Sequence, residues 1–538
     1  MAHSGSLDAV DLSVMWDRLI SITDEGAAAL VRTSFSSLVR EGFDLTVLIF
    51  DARGRMIAQS AKCIPVFIGT ASVTLRHMLD KYPADGLDEG DVVVSNDPVF
   101  GTGHMFDIAV MRPILRDGTL IGFAMSITHL PDIGGMGFSV SATEIYHEGL
   151  RLPVLKLMRA GIPDQDIIEL IRLNVRVPDQ VMGDISANIS CTAVVVREVL
   201  EFMDDYALHS LAPLADAIID QSDAAVRSAL GDLPDGRYTA ETRVEALQDT
   251  RLLCCQVDKR GQRLDIRFDG TEGCVQAGIN VPFPYTRAMA LYAVKCLTTP
   301  SIPNNDGATL CIAVAAPDGS ILNARPPAAS AGRHTIGHFI VPLIMEALAP
   351  IMPDRVCAAS GLMDILAFQG RHPDGRAMAT TYSASGGFGA LDGLDGRQCM
   401  PGSSNMGYMP VEVFEPRSNV TVLRKSLRPD SGGAGRFRGG AGQTVEMRND
   451  TGHDLVVFQM GNRTRFAAQG LFGGEAGALR SHWINDVQVP AQGSHVLQTG
   501  DRLRLEQAGG GGYGPAEHRP DATVAQDVLA GFVSPPGR

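Results

Sequence analysis

The stretch IAVMRPILRDGTLIGFAMSITH, residues 108–129, has the pattern of two β-strands joined by a tight turn. The turn is expected at residues 116–119, where Asp-Gly separates two apolar runs. His104 and Asp107 stand just before the first strand, and His129 ends the second. Because the start of one strand lies beside the end of the next in an antiparallel hairpin, these three side chains are predicted to be neighbours.

The same residues belong to two His-x-x-Asp motifs, His104 with Asp107 and His129 with Asp132. Histidine and carboxylate are ordinary ligands of divalent metals, and two histidines with one carboxylate leave coordination positions open for substrate. Asp44, at the entry to an apolar strand, could join them, since a carboxylate there is costly to bury unpaired. Alternatively, the histidines cap loops and the aspartates bind backbone N–H groups. The residues alone leave both interpretations open.

The composition indicates a soluble, multidomain protein. The chain has 538 residues, 45% of them apolar and 20% charged, which predicts two to four domains. Its net charge of -15 gives no basic excess for nucleic acid. The N-terminus lacks a signal-peptide pattern, and proline and glutamate interrupt the apolar run at 336–353, so no membrane segment is expected. Nine scattered cysteines without a CxxC pair indicate a reducing, cytoplasmic location rather than a cysteine zinc site.

The order of helical and strand patterns predicts an α+β fold, multidomain, with mixed sheets and helices and a β-rich C-terminal region. Four regions are expected: an N-terminal α/β region with the metal site (1–160), a mainly helical segment (161–235), an α/β middle domain (236–404) and a β-rich, glycine-rich region (405–538). The last 20 residues are expected to form a loose tail.

Two glycine-rich stretches lie in the last region, RPDSGGAGRFRGGAGQ at 428–443 and AGGGGYGP at 508–515. Neither contains GxxxxGK[ST] or connects a strand to a helix, so a nucleotide site is not indicated. Arg436 and Arg438 could bind an anion, but tight turns in a β domain are the favoured interpretation.

The motifs taken together resemble the hydantoinase B/oxoprolinase family. SNDPVFGTGHMFDIAVMRP (95–113) is similar to the family's NDP-Y-x-GGTHLPD segment, and SITHLPDIGG (126–135) is similar to its H-x-x-DIGG segment. Further motifs follow in the expected order, among them RFDGT, LRPDSGGAGRFRGGAG and GGGGYGP. The resemblance covers nearly the whole chain. One departure is the stretch 397–415, which lacks the His-rich segment of many hydrolase relatives and leaves the substrate open.

The resemblance implies a divalent metal, manganese, zinc or iron, held by Asp44, His104, Asp107 and His129. Asp132 would orient His129 from behind. ATP would be bound by a hydantoinase A-type partner subunit, giving a hetero-oligomer.

The function implied is the metal-dependent catalytic subunit of an ATP-dependent amidohydrolase that opens a hydantoin, oxoproline or lactam ring. A ketone carboxylase subunit of the acetone or acetophenone type is the alternative enzyme, and a non-catalytic scaffold that completes the partner's site is the alternative outside catalysis. Because a ligating histidine cannot also serve as a free base, Glu148 is a candidate base, with an exposed loop glutamate as the other interpretation.

Overall fold

The first sheet contains the hairpin identified in the sequence. The structure, a computed structural model, describes residues 8–535. The strands of this sheet are β1 Leu45–Asp51, β2 Met56–Gln59, β3 Val92–Ser95, β4 Asp107–Arg116, β5 Thr119–His129, β6 Leu155–Arg159 and β7 Ile162–Pro163. Their spatial order is β2-β1-β5-β4-β3-β6-β7. The order places β5 between β1 and β4, so three chain segments meet at one end of the sheet.

The long α-helices among residues 8–535 all lie before residue 300. The helices are α1 Ala9–Thr33, α2 Ser37–Arg40, α3 Thr70–Lys81, α4 Gln165–Asn174, α5 Pro178–Asp205, α6 Ala212–Gly231, α7 Phe283–Thr298, α8 His334–Gly337, α9 Ile340–Leu348, α10 Val411–Ser418 and α11 Asp521–Leu529. No helix among residues 8–535 is long and apolar enough to cross a bilayer.

The first sheet is buried on both faces. Along β1, Val47 and Ile49 belong to one core cluster, together with residues of α1 and α5, whereas Leu48 and Phe50 belong to the larger cluster that includes α7 and α9. This alternation follows from the two-residue period of a strand. Packing on both faces fixes the sheet and therefore the side chains at its ends.

Three further sheets follow. The second contains β8 Gly236–Ala246, β9 Asp249–Arg260, β10 Arg263–Arg267 and β11 Ile312–Ala315, in the order β11-β10-β9-β8. The later strands are β12 Met363–Arg371, β13 Ala377–Ser385, β14 Val420–Leu427, β15 Gln443–Asn449, β16 Leu455–Met460, β17 Ser481–Ile484, β18 Val487–Val489, β19 Gln492–Leu497 and β20 Arg502–Glu506. They form one sheet of order β13-β12-β16-β19 and another of order β14-β15-β20-β17-β18.

The α+β, multidomain prediction with mixed sheets is confirmed. The proposed division at residues 404/405 runs through the third sheet, because β12 pairs with β16 across it. The expectation of a loose tail was wrong for residues 521–529, which form α11. Arg519, just before this helix, contacts Asp527 within it at 2.8 Å and Asp395 at 2.7 Å. Residues 536–538 of that tail lie outside the described residues.

Most glycines of the two glycine-rich stretches pack backbone against backbone, which corrects the expectation of tight turns for all of them but Gly514, whose φ is 70°. A Cβ added to Gly509 would lie 1.6 Å from the carbonyl oxygen of Ser431, and one added to Gly387 would lie 1.7 Å from that of Gly440. Neither glycine has a positive φ, so close approach rather than a left-handed turn excludes larger residues here. Arg438 contacts Asp527 at 3.4 Å and is therefore paired within the fold.

Candidate metal centre

Strand register brings the predicted ligands together. In the β4–β5 hairpin Asp107 pairs directly with His129, so the two residues are neighbours, as the sequence predicted. Strand β1 pairs with the other side of β5 from Leu45↔Thr128 onward, so Asp44 lies next to His129. The backbone N–H of His129 donates to the carbonyl of Asp44 at 3.3 Å. Adjacent strands thus supply three of the four predicted side chains.

His104 comes from the loop before β4, and its ring is fixed from behind. Its Nδ1 lies 3.0 Å from the carbonyl oxygen of Ala331, a contact in which Nδ1 carries the proton. The other ring nitrogen, Nε2, is buried without a hydrogen-bond partner and lies 2.9 Å from Asp107 Oδ1, which is also unpartnered. A backbone contact of this kind sets the tautomer that leaves Nε2 free to ligate a metal.

The spacing of these atoms fits ligands of a single ion. Asp107 Oδ1 lies 3.2 Å from His129 Nδ1, and Asp44 Oδ2 lies 3.7 Å from the same nitrogen. Ligand atoms at bond lengths of about 2.0–2.2 Å are roughly 3 Å or slightly more apart. Ligand-type atoms of His104, Asp107 and His129 all lie within 4.8 Å of one another, and all three residues are buried. These residues therefore form a possible metal site, and their nitrogen and oxygen donors suit manganese, zinc or iron.

The second oxygen of Asp107 is held away from this point. The Thr102 hydroxyl donates to Oδ2 at 2.5 Å, and the Arg333 guanidinium donates to it at 2.9 Å. Arg333 also donates through Nε to the carbonyl of Thr102 at 2.6 Å. The carboxylate is thus oriented with Oδ1 toward the two histidines.

Burial and neighbouring charges shift the pKa values of these groups in different directions. Burial raises the pKa of Asp44 to about 6, although His129 opposes this. Burial would raise the pKa of Asp107 as well, but His104 and Arg333 outweigh it and hold that pKa well below the usual range. Burial and then Arg333 lower the pKa of His104 to about 4. Near neutral pH His104 is therefore neutral and Asp107 ionised, the states that ligate metals.

Asp132 does not contact His129 in the described part of the chain. Its carboxylate accepts from the backbone N–H of Gly134 at 3.2 Å, from Arg176 Nη1 at 2.8 Å and from the Arg176 backbone N–H. These bonds tie the turn after β5 to the segment before α5. The expected orienting contact to His129 is replaced by this anchoring.

Glu148 is fully buried, so the interpretation as an exposed loop residue was wrong. Its Oε1 accepts from the backbone N–H groups of Ser330 and Ala331 at 2.5 and 2.6 Å, while Oε2 has no partner. Burial raises its pKa to about 7, against the effect of these two donors. Because Ala331 is the residue whose carbonyl holds His104, Glu148 supports the site through that segment.

A cavity opens beside the cluster, and several of its lining residues were not singled out in the sequence. Asp44, His104 and His129 line it, and the additional residues include Phe138, Tyr285, Met289, Arg333, His334, His338, Ser404 and Met406. Ser404 and Met406 belong to the stretch that departs from the family pattern. For His334 and His338 the available signal was their four-residue spacing just before an apolar run.

A family model described as Hydantoinase B/oxoprolinase matches residues 8–516. The chain belongs to this family. A protein of Pseudomonas sp. (strain NS671), named as the B component of a putative D-/L-hydantoinase, is 28% identical over 564 residues, covering 98% of this chain and 93% of the relative. The beta component of the caprolactamase of Pseudomonas jessenii is 28% identical over 561 residues, covering 98% and 94%. Both relatives are named as subunits of enzymes.

Solved structures agree with this membership. The ATP-dependent caprolactamase from Pseudomonas jessenii superimposes with a TM-score of 0.90 at 26% identity, covering 98% of this chain and 95% of that chain. Nucleotide-free acetone carboxylase gives a TM-score of 0.88 at 18% identity, covering 97% and 78%. The second likeness, at this identity, shows a shared fold.

Proposed function

We propose that this chain is the metal-dependent catalytic subunit of an ATP-dependent amidohydrolase complex that opens a cyclic amide: a hydantoin, an oxoproline or a lactam. The convergence of His104, Asp107 and His129 on one point at the edge of a cavity carries the proposal. Family membership supports the reaction class, since full-length relatives are named as a hydantoinase and a caprolactamase subunit.

The partner in this proposal is a hydantoinase A-type subunit that holds ATP and activates the ring carbonyl. Two relatives are named as subunits, which supports a hetero-oligomer. The Gly-rich stretches of this chain contain no phosphate-loop pattern, so ATP is assigned to the partner. We place the complex in the cytoplasm.

A divalent ion held by His104, Asp107, His129 and Asp44 would supply Lewis-acid polarisation of the carbonyl oxygen and lower the pKa of water. The protein's own contribution is orientation. Ala331 fixes the ring of His104, and Thr102 and Arg333 fix Asp107 with one oxygen free. Three polar atoms of these residues are buried without a hydrogen-bond partner: Asp44 Oδ1, His104 Nε2 and Asp107 Oδ1. A bound ion would relieve the free-energy cost of burying them unpaired.

We assign Glu148 and Asp132 positioning roles. Glu148 is not among the cavity-lining residues, and its Oε1 accepts a hydrogen bond from Ala331, in the segment that holds His104. Asp132 holds the turn after β5 through Arg176. Neither contact presents a carboxylate to the cavity, where a base acting on substrate would stand.

The test uses this chain co-purified with its A-type partner. ATP-dependent opening of hydantoin, 5-oxoproline and lactams is measured together with the divalent metal content. His104→Ala and His129→Ala are expected to lose both the metal and turnover, while His209→Ala, at an exposed histidine, keeps both.

Four results would contradict the proposal. ATP hydrolysis that depends on bicarbonate and a ketone, with no lactam opening, would assign the carboxylase reaction. A complex without divalent metal, or one that turns over normally with both histidines replaced, would assign the scaffold role. Full activity of this chain without a partner would contradict the assignment of ATP to the A-type subunit.

A further inference from the structure

One phenol group borders the cavity beside the metal residues without a protein partner. Tyr285 lies in the first turn of α7, lines the cavity and is only 2% exposed. Its hydroxyl makes no hydrogen bond with any described residue, and it is not one of the polar atoms that the protein encloses completely. A buried tyrosine hydroxyl usually has a hydrogen-bond partner. The partner of this hydroxyl is therefore expected inside the cavity.

The ring of Tyr285 is held in place by three neighbours. The guanidinium of Arg333 lies 4.6 Å from the ring centroid, and the same group donates to Asp107 at 2.9 Å. A Cβ added to Gly337 would lie 2.2 Å from Cε1 of the ring, and one added to Gly103 would lie 3.0 Å from Cβ of Tyr285. The two glycines leave the space that this side chain fills, so the hydroxyl has a fixed position relative to Asp107.

The hydroxyl is a hydrogen-bond donor near neutral pH. Burial raises the pKa of Tyr285 above its ordinary value, although Arg333 opposes this. The phenol therefore keeps its proton and offers one O–H donor to the cavity. The guanidinium of Arg333 already donates to Asp107 and to the carbonyl of Thr102. A donor that is fixed in advance needs no reorganisation when charge develops on a bound substrate.

We propose that Tyr285 is a catalytic residue for ring opening, and that its hydroxyl donates a hydrogen bond to the amide atom that gains negative charge as water adds to the carbonyl carbon. The O–H bond of Tyr285 stays intact, so no proton leaves the tyrosine in this step. Because the charge is larger in the transition state than in the bound substrate, the contact lowers the barrier more than it tightens binding. This inference rests on the proposed function and adds a residue of this chain that acts on the reacting amide.

The first test is Tyr285→Phe in the complete complex with metal and ATP. Hydantoin, 5-oxoproline and caprolactam are assayed, and the ring that the parent complex opens fastest is used. We expect kcat to fall by about 10²–10³, the loss for one donor of this kind. Calorimetry without ATP should show that the Kd of the same ring changes by less than about threefold, because the contact strengthens only as charge develops. The divalent metal content should be unchanged.

Tyr292→Phe is the matched control. Tyr292 lies on the same helix two turns later and is not among the residues that line the cavity. This variant should keep the parent's kcat, Kd and metal content. The inference is overturned by an unchanged kcat in Tyr285→Phe, by loss of metal, by a change in Kd that accounts for the whole effect, or by an equal loss in the control. A parent complex that opens none of the three rings overturns the proposed function and the inference with it.

A second test moves the ring and keeps its hydroxyl. Gly337→Ala places a methyl group against the ring, so kcat is expected to fall by about 10–100-fold, since a displacement of about 1 Å is enough for such a loss. In the Tyr285→Phe background the same substitution should reduce kcat little further, because the hydroxyl that it displaces is already absent. If the two losses add in the double variant, Gly337→Ala does not act through the hydroxyl, and the inferred placement of Tyr285 is overturned.

Discussion

A buried histidine contacts a buried aspartate in two parts of the molecule. Beside the first sheet, His104 Nε2 lies 2.9 Å from Asp107 Oδ1, and between the third and fourth sheets His482 Nε2 lies 2.8 Å from Asp364 Oδ2. All four side chains are almost completely enclosed. On residue type, distance and burial alone, the two pairs would be interpreted in the same way.

Their surroundings differ. The remaining neighbours of the His482 pair are amides and a cation of the fold: Gln459 Oε1 lies 2.7 Å from His482 Nδ1, Gln507 donates to Asp364 at 2.9 Å, and Arg480 is 4.0 Å from Asp364. The His104 pair has a second histidine and a second aspartate beside it, and it borders a cavity. A single His–Asp contact is therefore a structural feature until a third ligand and access for substrate accompany it.

The largest effect is expected at the metal residues. Asp107→Asn removes the predicted carboxylate ligand, which lies beside both histidines, so the metal content should fall to background. Turnover should fall by at least about a thousandfold, because a metal ion stabilises the transition state by several kcal/mol. Metal analysis and ring-opening assays of the complex provide the measurement. The matched His482→Gln variant in the other pair should retain bound metal in its folded fraction; metal loss there would show that the two pairs are coupled.

Asp364→Asn is expected to act on stability alone. Removing this charge leaves Arg480 buried without its counter-ion, at a cost of about 3–5 kcal/mol in the free energy of unfolding. Fluorescence of Trp483, next to His482, in a Trp16→Phe background reports unfolding of this part of the chain. A variant as stable as the parent would mean that the amides alone support this cluster.

The same residue defines a pH window. The pKa of Asp364 is lowered to about 2, because His482 and then Arg480 outweigh the effect of burial. A lowered carboxyl pKa contributes stability above the unfolded value near 3.9, and that contribution is lost as the pH falls through about 2. The stability difference between parent and Asp364→Asn should therefore be full at pH 7 and shrink below pH 4. A difference that does not change with pH would contradict this assignment.

Asp44→Asn should stabilise the metal-free protein, whereas Asp364→Asn destabilises it. Burial raises the pKa of Asp44 to about 6, so the ionised group destabilises the fold above that pH, and the cost disappears below about pH 4. In EDTA at pH 7 the asparagine variant is expected to be more stable by about 2–3 kcal/mol. Trp16 fluorescence, in a Trp483→Phe background, monitors this region. If the asparagine variant is instead less stable than the parent at pH 7 without metal, Asp44 is not an ionised carboxylate that lacks a compensating positive charge.

The smallest effect is expected for Glu148→Gln. The substitution weakens the hydrogen bonds to the segment that holds His104, so metal affinity should fall by about tenfold. This is the lower end of the range for mutating a residue that orients a metal ligand. At saturating metal, kcat should be nearly unchanged. If Glu148 is a general base, kcat falls by about 10²–10⁴ even at saturating metal, and the two roles are separated by this one measurement.

The predictable part of the site is the part encoded by short-range geometry. The two-residue turn brings Asp107 and His129 to the same end of the hairpin. Their direct pairing also needs the one-residue register shift between Ile114 and Leu115, because the turn alone would place Asp107 opposite Thr128. The apolar periodicity of residues 70–82 and 284–298 predicts helices, and the structure has helices at Thr70–Lys81 and Phe283–Thr298. The expectation for the glycines was wrong because a glycine required for close packing looks the same in sequence as one required for a turn.

The sequence by itself determined the hairpin, the family and the residues able to ligate a metal. Tertiary structure alone decided how those residues are supported: His104 is held by Ala331, Asp107 by Arg333, and the cavity is completed by His334, each from a segment more than 200 residues away along the chain. The physical reason is that hairpin register is set by local backbone geometry. The other contacts join distant segments, so they form only once folding has brought those loops to the end of the first sheet.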